Sequence, residues 1–206
     1  MAKGSSKKHW LARQQKDPYV KQAQQSHYRS RAVYKLIEID EKDHLFKQGQ
    51  TIIDLGAAPG SWSQYVSEKI GKKGRLIAID ILPMEPVANT LFLQGDFTEQ
   101  SVYKQCLQVM GSSKADLVIS DIAPNLSGIR AADQARSLYL AELSLDLTKS
   151  VLKQGGDMLV KVFEGEGTDR YRRDLKEHFE KIIVRKPKAS RDDSREFYVL
   201  ARAFRL

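Results

Sequence analysis

Short β-branched segments alternate with longer segments of helical periodicity from residue 51 onward, and this alternation constrains the fold of the 206-residue chain most strongly. Such alternation predicts parallel strands, because a parallel connection needs a crossover that is usually a helix. The early strand segments are nearly continuous apolar runs, as expected where helices cover both faces of a sheet. The predicted strands are 51–55, 75–80, 90–93, 115–120, 157–162, 181–184 and 197–204. The predicted helices are 30–40, 61–70, 99–110, 133–152 and 169–179, with stop signals at Gly71, Gly111 and Gly155–Gly156.

The last two predicted strands follow one another across a short basic segment without a helix. This arrangement predicts a hairpin, so the final strand should run antiparallel to the others. We therefore expect a doubly wound α/β sheet of seven strands, mostly parallel with the last strand antiparallel and with helices on both faces. Ligands of such sheets bind at the carboxyl ends of the parallel strands. An antiparallel strand presents its amino end there, which would bring Glu196 to the same edge.

Length and composition exclude several classes of protein. The length suits a single domain with a full core, and no stretch approaches the roughly 18 uncharged apolar residues of a membrane span. The first ten residues are basic and polar and do not form a secretory signal, so we expect a cytoplasmic protein. Cys106 is the single cysteine and the four histidines show no ligand spacing, so we expect no disulfide and no metal site.

The positive charge lies at the amino-terminal end of the chain. Residues 1–35 carry nine basic side chains against one acid, Asp17, which accounts for the whole net charge of +8. Aromatic residues are interleaved with these cations, a pattern that suits phosphates and unstacked bases. A second basic cluster lies at 185–195. We predict a basic arm over 1–28, a single domain over 29–206 and a polyanionic partner, whereas the alternative for the arm is a solvated tail.

A glycine-containing turn follows the first predicted strand and suits a nucleoside cofactor. Gly56 and Gly60 allow the backbone to approach a ligand, and the next helix offers free N–H groups. Asp80 ends the second strand, where an acid can accept hydrogen bonds from both ribose hydroxyls. Asp96 follows the third strand, where an adenine amino group would lie. Because the turn lacks the G-x-G-x-x-G pattern that holds a pyrophosphate, S-adenosylmethionine is favoured over NAD.

Lys161 is the most informative candidate for catalysis. A lysine inside an apolar central strand is costly unless it is paired or used, and it could act on a substrate hydroxyl. The structural alternative is a lysine that extends past the strand end or forms an ion pair. Asp121 and Glu196 are predicted at the reactive edge, where each could also be a cap or a surface acid. The spacing of Lys35 alone predicts only a solvated helix residue.

Several motifs in combination resemble the RrmJ/FtsJ ribosomal RNA 2′-O-ribose methyltransferases over nearly the whole chain. They are DLGAAPG (54–60), WSQ (62–64), SDIAPN (120–125), VKVF (160–163), GEG (165–167) and SRE (194–196), with SRA (30–32) and YKL (34–36) in the amino-terminal helix. The resemblance implies a Rossmann-like methyltransferase domain. It also implies transfer of a methyl group from S-adenosylmethionine to the 2′-hydroxyl of a uridine in large-subunit (23S) ribosomal RNA, on the assembled or assembling large subunit.

The resemblance assigns roles to individual residues. It implies a catalytic tetrad of Lys35, Asp121, Lys161 and Glu196. It implies cofactor contacts at Gly60, Trp62, Asp80, Asp96 and Asp121, with no metal and a monomeric protein. Ser61 is a departure, because the family usually has a second glycine there. A positive φ would strain a serine, although serine is also a good helix N-cap.

The hypothesis for the reaction gives each member of the tetrad a task. Lys161 would receive the ribose proton as the hydroxyl oxygen attacks the sulfonium methyl group. Lys35 would favour the neutral form of Lys161 by like-charge repulsion and help to fix the ribose. Asp121 and Glu196 would orient the two lysines.

Other functions remain open at this point. They include a 2′-O-ribose methyltransferase of transfer RNA and a non-catalytic RNA-binding protein with the same fold. A base methyltransferase is less compatible with the sequence, since Cys106 lies in a predicted helix away from the reactive edge and 121–124 does not match the Asn/Asp-Pro-Pro-aromatic motif. A nicotinamide-dependent oxidoreductase would leave the basic arm unexplained. The sequence does not give the target nucleotide.

Overall fold

The computed structural model describes residues 17–191 and 193–205, so the predictions for residues 1–16 of the arm lie outside the described residues. Within the described residues, five helices precede or separate the first five strands, and a sixth leads into the final pair of strands. In chain order the elements are α1 (Pro18–Gln25), α2 (Val33–Asp43), β1 (Thr51–Leu55), α3 (Ser61–Ile70), β2 (Arg75–Asp80), β3 (Thr90–Gln94), α4 (Gln100–Met110), β4 (Ala115–Ser120), α5 (Arg130–Val151), β5 (Leu152–Phe163), α6 (Thr168–His178), β6 (Phe179–Arg185) and β7 (Glu196–Phe204).

The strands form one seven-stranded sheet in the order β3-β2-β1-β4-β5-β7-β6. The first five strands are parallel, and β7 pairs antiparallel with both β5 and β6. The predicted fold class is therefore confirmed. Phe163 pairs with Glu196, so β7 begins at the edge where β5 ends. The chain reverses its winding between β1 and β4, and such a switch point leaves a crevice for a ligand.

Helices cover both faces of the sheet and bury a separate core on each. Successive strand residues point to opposite faces, so Ile52 packs in the core beneath α1, α2 and α3, whereas Ile53 packs in the core beneath α4, α5 and α6. Leu117 and Val118 on β4 divide in the same way. Double coverage explains why the central strands are apolar at nearly every position.

The predicted bounds of several elements differ from the structure, and two of these differences are informative. The predicted helix 133–152 ends within one residue of α5, but the predicted stop signal Gly155–Gly156 lies inside β5, which begins five residues before the predicted strand 157–162. Leu152 is buried and already pairs with Ala115 of β4, so tertiary contacts end the helix before the glycines. The predicted helix 30–40 begins three residues later and continues to Asp43, where His44 with φ of 50° closes it.

The described part of the arm packs against the domain. Asp17 caps α1 by accepting the N–H of Tyr19 at 3.0 Å, and it pairs with Arg31 at 2.9 Å. The rings of Tyr19 and Tyr34 lie 5.6 Å apart, and Tyr34 is buried in the core beneath α1, α2 and α3. These aromatic rings attach α1 to α2, so the interleaved aromatic pattern reflects packing at Tyr34.

Candidate active site

The carboxyl ends of the first four strands surround a cavity of about 410 Å³ at the switch point. Asp80 at the end of β2, Asp96 after β3 and Asp121 after β4 all line this cavity. Gly56 and Ala58 of the β1–α3 loop complete one wall. The structure therefore brings together the three carboxylates that were predicted from separate strand ends.

Backbone hydrogen bonds fix two of these carboxylates. The N–H groups of Ala58 and Leu82 donate to the two oxygens of Asp80 at 2.9 and 2.8 Å. The N–H of Thr98 donates to Asp96 at 2.9 Å. Because a carboxylate oxygen can accept two hydrogen bonds, both groups are oriented and still able to accept from a ligand.

Gly60 and Trp62 do not line the cavity themselves, but they shape the adjoining loop and the start of α3. Gly60 has a φ of 101°, and a Cβ there would lie 2.6 Å from Nη1 of Arg29, so this position requires glycine. Trp62 is buried, and its indole donates to the carbonyl of Ala32 at 2.9 Å. Both residues remain at the start of α3, where the backbone N–H groups of the first turn have no partner within the helix.

Ser61 carries none of the strain that its departure from the family pattern suggested. The positive φ falls on Gly60, which is the N-cap, and Ser61 is the first residue of α3. Ser61 therefore does not act as the N-cap. Its hydroxyl instead makes a hydrogen bond of 2.7 Å with the hydroxyl of Ser30, which joins α3 to the segment before α2.

Four residues from four elements converge beside the cavity. Lys35 of α2 and Lys161 of β5 are only 7% and 6% exposed. Lys35 Nζ lies 2.8 Å from Oε1 of Glu196, and Lys161 Nζ lies 3.0 Å from Oδ1 of Asp121. Lys35 Nζ is also 3.8 Å from that oxygen of Asp121, and Lys161 donates to the Asp121 carbonyl at 2.6 Å. The predicted tetrad is thus assembled as two linked ion pairs.

Tyr198 is a fifth member of this cluster that the sequence analysis missed. Its hydroxyl donates to Oδ1 of Asp121 at 2.5 Å, and its ring lies 5.8 Å from Lys35 Nζ. Tyr198 pairs across the sheet with Lys161. The signal was available, because Glu196 and Tyr198 are two residues apart on β7 and therefore share a face.

The two ammonium groups keep Asp121 ionised. Burial alone would raise the pKa of Asp121, but the charges of Lys161 and Lys35, together with the Tyr198 hydrogen bond, outweigh burial and hold that pKa below its usual value. Burial and the neighbouring Asp121 raise the pKa of Tyr198 well above its usual value. The hydroxyl therefore stays protonated and acts as a donor to the carboxylate.

Arg29 is a second residue that the sequence analysis missed, and it ties two cofactor-side loops together. Its guanidinium donates to the carbonyl of Pro59 at 3.1 Å, and to those of Glu85 and Pro86 at 2.7 and 2.8 Å. The first carbonyl belongs to the β1–α3 loop and the other two to the β2–β3 connection. No periodicity or motif spacing in the sequence indicates such a role for Arg29.

Asp54 on β1 is a buried acid outside the tetrad. It is 1% exposed, and the hydroxyl of Ser63 donates to it at 2.7 Å. Burial raises the pKa of Asp54 to about 7, and the charges of Asp121 and Asp80 add to the rise while the Ser63 bond opposes it. An acid whose pKa is raised by folding binds more protons in the native state, so its contribution to stability falls as pH rises from about 3.8 to about 7.

Replacing Asp54 with asparagine is expected to remove this pH-dependent loss of stability. The free energy of unfolding of D54N relative to the natural chain should rise by roughly 2 to 3 kcal/mol between about pH 5 and pH 8, since one pKa unit corresponds to about 1.4 kcal/mol. Urea unfolding at the two pH values measures the difference. Equal differences at both pH values would contradict a buried acid that ionises in this interval.

Cys106 has no role at the cavity. It is fully buried on α4, and burial raises the pKa of its thiol to about 11. A buried, protonated thiol remote from the strand ends is not a nucleophile for carbon methylation of a base. Within residues 17–191 and 193–205, no group of three histidine, cysteine, aspartate or glutamate side chains is arranged to hold a metal ion. The helices of the same residues include none with the length and apolarity of a bilayer span.

Comparison with known proteins gives consistent matches over the whole domain. A family model described as FtsJ-like methyltransferase matches residues 28–204. The chain is 55% identical over 205 residues to the ribosomal RNA large subunit methyltransferase E of Pseudomonas aeruginosa, covering 100% of this chain and 99% of that protein. It is 52% identical over 206 residues to the protein of the same name from Marinobacter nauticus, with both chains fully covered.

Solved structures agree with this result. The crystal structure of a ribosomal RNA methyltransferase from Plasmodium falciparum matches with a TM-score of 0.77 and 32% identity, covering 86% of this chain and 98% of that chain. Fibrillarin from Aeropyrum pernix, solved with natively bound S-adenosyl-L-methionine, matches with a TM-score of 0.58 and 17% identity over 84% of this chain and 75% of that chain. The latter likeness concerns the fold alone.

Proposed function

The chain belongs to the FtsJ-like methyltransferase family, and on that premise we propose that it transfers a methyl group from S-adenosylmethionine to the 2′-hydroxyl of a uridine in 23S ribosomal RNA. The names of relatives that are 52% and 55% identical support the large ribosomal subunit as the substrate. The observation that carries the proposal is the contact between the strand-end cavity and the tetrad through Asp121, which belongs to both.

The residues of the cavity fit this cofactor. Asp80 and Asp96 can accept hydrogen bonds from ribose hydroxyls and an adenine amino group, and the cavity wall includes Phe97 and several aliphatic side chains. No lysine or arginine is among the lining residues of this described cavity. Asp121 is paired with Lys161 and Lys35, whereas Asp80 and Asp96 form no ion pair with a described residue. Two such carboxylates suit a positively charged donor that carries no phosphate, and they disfavour a dinucleotide.

The donor supplies a methyl group that its sulfonium already activates, so the work of the chain is to hold and deprotonate the ribose hydroxyl. The mechanism assigns to Lys161 Nζ the role of accepting the proton of the 2′-hydroxyl as the new bond forms. Lys35 holds the ribose oxygen and is itself held by Glu196 at 2.8 Å. Asp121 orients both lysines, and Tyr198 fixes the rotamer of Asp121 through the hydroxyl bond. Gly60 and Trp62 contribute through the backbone at the start of α3.

The proposal also covers the wider organisation of the protein. Residues 1–28 form a basic arm that binds RNA phosphates, and residues 29–206 form the methyltransferase domain. The protein acts as a monomer on ribosomal particles in the cytoplasm. The excess of basic side chains in residues 1–35 supports the role of the arm.

The experiment that tests this function is labelled S-adenosylmethionine incubated with large subunits, naked ribosomal RNA and transfer RNA in parallel, followed by nucleoside analysis. We expect label in a 2′-O-methyluridine from the large subunits, in a linkage that resists alkali. Label in transfer RNA would favour the alternative substrate, and label in a base would overturn ribose methylation. Cofactor binding without transfer to any of the three would support a non-catalytic RNA-binding protein.

Replacing Asp80 with alanine is expected to raise the Kd for S-adenosylmethionine by at least about tenfold, because the variant loses the acceptor for the ribose hydroxyls. Calorimetric titration measures the affinity. Asp146, an exposed carboxylate on α5 that pairs with Lys149, provides the matched control. D146A should bind the cofactor like the natural chain. Equal affinity of D80A and D146A would contradict the assigned role.

A further inference from the structure

A second cleft, of about 460 Å³, lies near the tetrad at the end of β5. Its walls come from the β4–α5 loop with the start of α5, and from the segment that leads into β7. Arg130 lines the first wall and Arg195 the second, and Phe163 lies between them at the end of β5. Arg195 directly precedes Glu196, which pairs with Phe163, so the cleft lies next to one member of the tetrad.

The guanidinium groups of Arg130 and Arg195 are available to a ligand. Both residues are exposed, and neither side chain forms a hydrogen bond or an ion pair with another described residue of the chain. Neighbouring arginines differ in this respect. Arg172 pairs with Glu164 at 2.8 Å and with Asp169 at 3.0 Å. Two exposed, unengaged guanidinium groups on opposite walls of one cleft constitute a site for an anion.

Two acids at the cleft are held by partners other than Arg130 and Arg195. Asp133 accepts the N–H and the hydroxyl of Ser127, each at 2.7 Å, and the N–H of Gly128 at 3.1 Å. Glu164 pairs with Arg172 at 2.8 Å. These contacts orient both carboxylates and leave the guanidinium groups of the two arginines accessible to an incoming anion.

Both walls of the cleft are held in place without a ligand. Asp133 fixes the loop before α5 through the bonds to Ser127 and Gly128. On the other wall, Lys186 Nζ donates to the carbonyls of Ser194 and Glu196, and the Ser194 hydroxyl accepts the N–H of Glu196. Arg195 and Glu196 are therefore held by the same short segment. A ligand bound in the cleft would lie close to the tetrad.

We propose that Arg130 and Arg195 together bind a backbone phosphate of the RNA adjacent to the target ribose, an inference that rests on the proposed function. The methyl donor carries no phosphate, so an anion site next to the tetrad serves the other substrate. Guanidinium groups match phosphate geometry and supply most of the affinity of such contacts. Leu126 lines the same cleft with 66% of its surface exposed, which offers an apolar contact for the base beside that phosphate.

The test is steady-state methylation of large subunits that lack the modification, with R130A, R195A and the double variant. Each single substitution should raise KM for the particle about tenfold and leave the Kd for S-adenosylmethionine unchanged. Each should also reduce the slope of log KM against log salt concentration by about one, because one phosphate contact is lost. Arg173, an exposed arginine of α6 that lines neither cavity, is the matched control, and R173A should change neither quantity.

The outcomes separate the cleft from the function as a whole. An active double variant whose KM and salt slope equal those of R173A would overturn the phosphate site and leave the proposed function intact. If the natural chain methylates no RNA, the proposed function fails, and filter binding of ribosomal RNA then decides the cleft. In that case a Kd for RNA that is unchanged in the double variant would overturn the site, and a Kd raised with a reduced salt slope would support it.

Discussion

Replacing Lys161 with methionine is expected to lower kcat for methyl transfer by about a thousandfold, because the variant loses the group that accepts the ribose proton. Methionine has a similar length and an apolar stem, so it can occupy the buried position on β5 without an uncompensated charge. The Kd for S-adenosylmethionine and the KM for the particle should change little, since Lys161 lines neither the cofactor cavity nor the arginine cleft. Single-turnover methylation at saturating cofactor measures the loss directly.

The matched control for this variant lies on the same strand. Lys153 is a β5 lysine near the amino end of the strand, where it pairs with Asp116 on the surface. K153M makes the same chemical change on the same element, and we expect near-normal kcat from it. A folded K161M protein that transfers methyl groups at the rate of K153M would contradict the assignment of Lys161 as the proton acceptor.

Replacing Asp121 with alanine is expected to reduce both activity and stability. The kcat should fall at least about a hundredfold, because the two lysines lose the carboxylate that orients them. The free energy of unfolding should fall by roughly 3 kcal/mol at neutral pH, since the buried ammonium of Lys161 would lose its counter-charge. Because folding lowers the pKa of Asp121, this contribution is present above the unfolded-state pKa and is lost as pH falls through the native value.

A double substitution separates the two effects in D121A. Removing the orphaned charge as well, in D121A/K161M, should recover much of the lost stability but none of the activity. Urea unfolding and single-turnover rates of the two single variants and the double variant complete the cycle. If the stability losses of the single variants simply add, the ion pair between these residues does not carry the energy that its 3.0 Å geometry suggests.

The sheet was predictable because its strands are buried on both faces. Apolar runs such as 51–55 and 115–120 are identified as strands rather than helices by their short length and by the glycines and helical segments that separate them. The antiparallel β7 followed from the missing crossover before it. The early start of β5 was not predictable, because it depends on the contact of Leu152 with Ala115 of β4 rather than on a local signal.

The candidate site was predictable to different degrees at different residues. Lys161 could be identified from the sequence because it interrupts an apolar strand. Lys35 was only one of the nine basic side chains in residues 1–35 until the family resemblance indicated it. Burial of Lys35 depends on how α2 packs across the sheet, and that long-range contact leaves no local trace in the sequence. Arg29 was missed for the same reason, since its acceptors are backbone carbonyls up to 57 positions away. The catalytic and cofactor roles themselves stay predictions.

The position of β7 between β5 and β6 links completion of the sheet to completion of the site. This strand follows every other described strand in the chain, yet it is an interior strand of the sheet. It carries both Glu196 and Tyr198. Without β7, the facing edges of β5 and β6 have no strand between them, and only Lys35, Asp121 and Lys161 of the five-residue cluster are present. The strand therefore completes the sheet and the five-residue cluster together, and a chain that lacks it would expose two unpaired strand edges.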